Sequence, residues 1–98
     1  MISLSPEAET QLDRLLTHFE RLNRIAAAEN LLAVLDLASV RILRAGSAGL
    51  PAPRPYPALA RLGFRWIKEG RYWVAYLNHG SPTIVGIFHE SADIPNRV

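Results

Sequence analysis

Residues 46–57, Gly-Ser-Ala-Gly-Leu-Pro-Ala-Pro-Arg-Pro-Tyr-Pro, hold two glycines and four prolines. Each proline lacks a backbone N–H and fixes φ, so neither a helix nor a central strand can pass through this stretch. Residues that precede prolines are pushed away from the α region, which makes the segment a partly extended connector. The 98-residue chain is therefore cut into two parts that must form their regular structure separately, although its length supports only one core and one domain, residues 1–98. The two parts also differ in period.

Before the connector the period is helical. Ser5 is a good N-cap, Pro6 fits the first helical position, and Glu7 and Glu9 suit the positive end of the helix dipole. Ala8, Leu12, Leu15, Leu16, Phe19 and Leu22 then form an apolar stripe at helical spacing. Asn23 and Arg24 mark a break. A second helix is expected over 25–45, with Leu31, Val34, Leu35, Ala38 and Ile42 on one face. Gly46 is expected to end it in the left-handed conformation. So short a link between helices makes 5–46 a helical hairpin. Residues 1–4 can serve as an edge strand ahead of it.

After the connector, here taken as 47–61, three strand candidates follow: 62–67, 71–77 and 83–88. Lys68-Glu69-Gly70 and Asn78-His79-Gly80-Ser81-Pro82 are the turns between them. Links this short join antiparallel neighbours. The expected class is α+β, an N-terminal helical hairpin packed on a three- to four-stranded antiparallel sheet over 62–89, with a tail over 90–98.

Composition narrows the chemistry. There is no cysteine, which removes disulfides, thiolate nucleophiles and thiolate zinc sites. The histidines, His18, His79 and His89, have no metal-ligand spacing, so neither a metal nor another cofactor is expected. No G-x-S-x-G elbow is present, no Lys-Ser/Thr follows the glycines at 46 and 49, and no carboxylate pair lies in the strand region. No catalytic residue is assigned. The apolar runs are shorter than a membrane span, and the first residues lack the basic and apolar regions of a secretory signal, so a cytoplasmic protein without membrane contact is expected.

Charge is uneven. Five arginines against six carboxylates leave residues 1–50 at −1, whereas six cations against three acids leave 51–98 at +3. That excess is too thin for a dedicated nucleic-acid binder, and no direct DNA binding by the chain alone is expected. The cations do gather around the strands. Arg61 and Arg65 project to one face and Phe64 and Trp66 to the other, while Tyr72, Val74 and Tyr76 share a face. Either this is a cationic, aromatic-bearing rim, or Arg65 and Arg71 are cross-strand partners for Glu69 and Glu90 and the aromatics are core.

The run Gly63-Phe64-Arg65-Trp66-Ile67-Lys68-Glu69-Gly70-Arg71-Tyr72-Trp73-Val74-Ala75-Tyr76, followed by Ile84-Val85-Gly86-Ile87-Phe88-His89 and Asp93-Ile94-Pro95, resembles the ParE branch of the RelE/ParE toxin superfamily. Leu4-Ser5-Pro6-Glu7-Ala8-Glu9 resembles the family's first strand and helix, so the likeness spans nearly the whole chain. It implies the toxin of a bacterial toxin–antitoxin pair. ParE-type toxins inhibit DNA gyrase by stabilising its cleaved-DNA state without an active site of their own, and a ParD-like antitoxin holds them inactive in a hetero-oligomer. RelE-type relatives are ribosome-dependent mRNA endonucleases that use arginine, lysine, tyrosine or histidine in RNA cleavage. A third alternative is a non-toxic relative that only binds an antitoxin.

Here no Tyr or Arg follows His89 and no lysine cluster precedes Arg65, features that several of the nucleases carry. The strand beginning Gly70-Arg71-Tyr72 is more like ParE. Ala92 stands where that family commonly has arginine. The expected target contacts are Arg61, Arg65, Lys68, Arg71 and His89.

Overall fold

In the computed structural model, which describes residues 1–60, 64–78, 80–92 and 94, a short strand β1 (Ser3–Leu4) leads into helix α1 (Pro6–Arg21). Ser5 caps α1: its hydroxyl accepts from the Ala8 N–H at 3.1 Å, and Pro6 occupies the first turn. Asn23 takes a left-handed conformation (φ 53°), and Arg24 N–H donates to Phe19 O at 2.8 Å. The chain thereby reverses into α2 (Ile25–Ala45), forming the expected hairpin.

Leu22 breaks the expected stripe. It is the residue that closes α1, and it is exposed because the chain has already begun to turn. Gly46 also departs from expectation, being right-handed (φ −58°) rather than left-handed. The chain runs straight on into a 3-10 turn, Gly46–Ala48, and the Tyr76 hydroxyl donates to the freed Gly46 carbonyl.

The connector is less extended than its prolines suggest. Leu50 pairs with Trp66 through N–H···O bonds of 2.8 and 2.7 Å, and Pro57–Leu59 forms a second 3-10 turn. Ala52 and Pro53 are buried. Strands β2 (Phe64–Glu69), β3 (Tyr72–Leu77) and β4 (Thr83–His89) then build the sheet, in the order β1-β4-β3-β2. β2 runs two residues later than expected, so the first turn is Gly70-Arg71, and Arg71 is a turn residue instead of a strand residue. The expected strand residues Leu62 and Gly63 lie outside the described residues, as do His79, Asp93 and Pro95.

The β2–β3 and β3–β4 pairs are antiparallel, but β1 joins β4 in parallel, Ser3 beside Thr83 and Leu4 beside Ile84. The sheet is therefore mixed, not wholly antiparallel. The helical hairpin returns the chain to the same end of the sheet, which permits that crossover.

Two layers of apolar side chains hold the fold. Ala8, Phe19, Leu31, Val34, Leu35, Ala38 and Ile42 of the helices pack on Ile67, Tyr72, Val74, Tyr76, Ile84 and Ile87. Ile84 and Ile87 share this face despite their odd spacing because Val85 is an extra residue at a bulge opposite Ala75 and Tyr76. On the far face, Trp66, Trp73, Ala75, Phe88 and Ile94 form a second cluster under Leu50, Tyr56 and Leu59. β3 is covered on both sides, which explains its continuous apolar sequence. No described helix is long and apolar enough to cross a membrane.

Candidate functional site

The β2–β3 turn determines which cations meet. Gly70 supplies a positive φ of 58°, and Arg71 is left exposed at the tip. β4 ends opposite the same turn, with Glu90 N–H donating to Arg71 O at 2.8 Å. Lys68 Nζ reaches Glu90 Oε2 at 2.8 Å on the sheet's far face. The bond from Lys68 holds the Glu90 carboxyl below the usual carboxylate range, and the charges of Lys68, Arg71 and His89 act in the same direction. Three of the expected contacts, Lys68, Arg71 and His89, thus surround one carboxylate.

His89 pairs with Tyr72 across the strands, its ring meeting the Tyr72 ring edge-on at 5.3 Å. Ser91 N–H donates to His89 Nδ1 at 3.1 Å, and the Ser91 hydroxyl lies 2.7 Å from the same nitrogen. An Nδ1 that accepts a backbone N–H places the proton of the neutral ring on Nε2. His89 can therefore offer an N–H donor outward. Burial raises the pKa of the Tyr72 phenol, and the nearby Arg24 charge opposes that shift.

Arg65 lies apart from this group. It faces the helices at the other end of β2, opposite Tyr76. A Cβ at Gly49 would come within 2.9 Å of the Arg65 Cβ and would collide with the Tyr76 hydroxyl, so the connector passes here only as glycine. Burial raises the pKa of Tyr76, while Arg65, the Gly49 N–H and Arg41 act against the rise. Tyr72, where His89 pairs, and Tyr76, where Arg65 pairs, are four residues apart on β3. Arg65 and His89 are therefore separated by about 13 Å along the sheet and about 10 Å across it. Arg61 lies outside the described residues.

The alternative of simple cross-strand pairing is corrected in its partners. Glu69 accepts from Arg41 of α2 at 3.2 Å, and Glu90 from Lys68; neither carboxylate pairs with Arg65 or Arg71 among the described residues. Trp66, Tyr72 and Tyr76 are core, as that alternative had it, whereas Phe64 is half-buried and belongs to neither cluster.

Sequence reasoning missed two neighbours of the cluster. Arg54 projects from the connector over the Trp73 ring, 5.6 Å from its centroid, a cation–π contact that only the folded connector brings about. His18 of α1 faces His89 across an open groove of about 610 Å³, also lined by Gln11, Arg14, Leu15 and Ile87. Its helical position alone suggested a solvated face. No group of three metal-ligating side chains occurs among the described residues.

No protein-family model matches this chain, and no curated protein matches it.

Proposed function

We propose that the chain is a ParE-like toxin of a bacterial toxin–antitoxin pair, a cytoplasmic inhibitor of DNA gyrase that a ParD-like antitoxin neutralises. The hairpin end, Lys68, Arg71 and His89 with Arg54 beside them, is its target-contact surface, and Arg71 is the member most available to a partner. Arg65 and Arg61 belong to the same proposed surface through the resemblance alone.

The separation of Arg65 from His89 favours an inhibitor over an endonuclease. RNA cleavage by the attacking 2′-OH needs an acid or base and a cation at one phosphate, within hydrogen-bond reach of each other's target atoms. Their backbone positions, about 13 Å apart along the sheet and about 10 Å across it, put the two side chains at opposite ends of the sheet rather than side by side. A protein inhibitor has no such requirement, because exposed charges around an aromatic body suffice to orient and hold a protein partner.

The groove between α1 and β4 supports the antitoxin half of the reading. β1 covers β4 only at Thr83 and Ile84, and beyond it the Ile87 N–H is satisfied by the Gln11 side chain at 3.0 Å. An amphipathic antitoxin segment seated between Leu15, Ile87 and the two histidines would replace that single side-chain bond with backbone pairing.

The test is a gyrase reaction with antitoxin-free chain, supercoiled and relaxed plasmid, and ATP. Linear DNA after denaturing the enzyme is the expected result. Folded chain that leaves gyrase untouched would overturn the reading; cleavage of ribosome-bound mRNA would replace it with the nuclease, and inertness in both assays with a non-toxic relative.

A further inference from the structure

The outer side of α2 carries large exposed apolar side chains from its first turn to its last, with Glu29, Asp36 and Arg44 among them. Ile25, Leu32, Leu37, Val40 and Leu43 are 65%, 39%, 56%, 45% and 65% exposed, although α2 already buries its other face against the sheet. These five side chains leave on the order of 500 Å² of apolar surface open, within the range of the largest patch on a typical monomer, which is often functional.

The charges on this face are arranged as their own complement. At about 3.6 residues per turn, Glu29, Ala33, Leu37, Val40 and Arg44 run along one side of the helix, with Ile25, Leu32, Asp36 and Leu43 beside them. Glu29 lies toward the N-terminus and Arg44 toward the C-terminus, each about 11 Å from a midpoint between Asp36 and Leu37. Neither forms an ion pair among the described residues. The N-terminal ammonium lies 3.9 Å from Asp36 and offsets its charge at the centre.

We propose that this face binds a second copy of the chain, α2 against α2 in antiparallel orientation about a two-fold axis between Asp36 and Leu37. The two-fold sets Glu29 of each copy beside Arg44 of the other, so one pair of residues makes two ion pairs. Leu37 meets its own counterpart near the axis and Val40 rests over Ala33, whose small side chain lets the helices approach. The antiparallel arrangement also opposes the two helix dipoles favourably. A parallel pairing would set Glu29 on Glu29 and Arg44 on Arg44, whereas Asp36 meets its counterpart near the axis in either orientation, its charge offset by the N-terminal ammonium. Two such faces, with their charged rims, bury about 1,200 Å², the lower end for a specific interface, so the dimer is expected to dissociate on dilution.

Light scattering coupled to size exclusion, across a dilution series of the full chain at low ionic strength, tests this. The expected mass is twice 10.9 kDa at high concentration, falling to 10.9 kDa on dilution. Leu37→Glu should give 10.9 kDa throughout, with unchanged circular dichroism because this position is solvent-facing in the single chain. Glu29→Arg and Arg44→Glu should each weaken the dimer about tenfold, and the double reversal should restore it to within about threefold.

A monomer at every concentration, a dimer that survives Leu37→Glu, or a double reversal no tighter than the single ones would each overturn the proposal. So would a mass that increases only when a different protein is added. None of these outcomes depends on gyrase, so the test stands apart from that of the toxin reading.

Discussion

Tyr76 shows how one phenol ties three elements together. It stands in the central strand, donates to the Gly46 carbonyl at the end of α2, and fills the space that Gly49 leaves in the connector. Tyr76→Phe leaves that carbonyl only the longer bond from the Gly49 N–H, at 3.4 Å, and should cost about 1 kcal/mol in urea unfolding. Gly49→Ala should cost about 1–3 kcal/mol, because its Cβ meets both the hydroxyl and the Arg65 stem. The same burial sets an alkaline limit. The folded-state pKa values of Tyr72 and Tyr76 are raised, so the stability linked to their neutral forms is full below about 10, the unfolded value, and is lost as pH rises through the folded values. Melting temperature should therefore fall above pH of about 10, less steeply in Tyr76→Phe once the loss of its bond is allowed for. A wild-type melting temperature that stays level from pH 9 to 11 would contradict this account.

At the level of elements, the turns carry constraints that apolar pattern does not. Asn23 sits in the left-handed region between α1 and α2, and Gly70 does so between β2 and β3, where an added Cβ would also press within 3.2 Å of Val34 Cγ2. Asn23→Gly should leave stability nearly unchanged, whereas Asn23→Val and Gly70→Ala should each cost about 1–2 kcal/mol in denaturant melts. The helices were legible in the sequence because local signals agreed: Ser5-Pro6 at one end, the Asn23 break, and an apolar face running from Leu31 to Ile42. The strands were legible from their alternation and glycine turns, but the position of the first turn was not. Lys68-Glu69-Gly70 and Gly70-Arg71 are equally good turn sequences, and only pairing of Glu69 with Tyr72 selects the second. Two features had no local signal at all. The parallel seat of β1 beside β4 depends on where the helical hairpin delivers the chain, and the folding of the connector over Trp66 and Phe88 depends on contacts made tens of residues away.

Across the whole molecule the same limit applies to the candidate site. Sequence alternation places Arg65 and Phe64 on opposite faces, but it says nothing of which cations gather at one end of the sheet. That gathering comes from the β2–β3 turn and the end of β4 meeting, with Glu90 at the centre of Lys68, Arg71 and His89. Arg65 and Arg71, both read from the sequence as strand arginines, are therefore unequal as probes. Arg65→Ala removes a half-buried stem that packs beside Tyr76 and the connector, so a loss of activity there mixes folding with contact. Arg71 is exposed in the turn, so Arg71→Ala should leave the melting temperature within about 2 °C and the antitoxin complex intact, while lowering gyrase poisoning about tenfold. Glu90→Gln should act in the opposite direction: it frees Lys68 from its ion pair, raises the positive potential around Arg71, and should strengthen the gyrase effect, most clearly at low ionic strength. His89→Ala should change gyrase poisoning by no more than about twofold, since His89 is one partly exposed member of that contact surface and transfers no proton there, whereas a nuclease would lose most of its activity. The three variants together separate the readings by sign. A decrease for Arg71→Ala, an increase for Glu90→Gln and near-indifference for His89→Ala fit a charged inhibitory surface. A collapse for His89→Ala, with little response in the other two, would place the function in the imidazole and overturn the inhibitor reading.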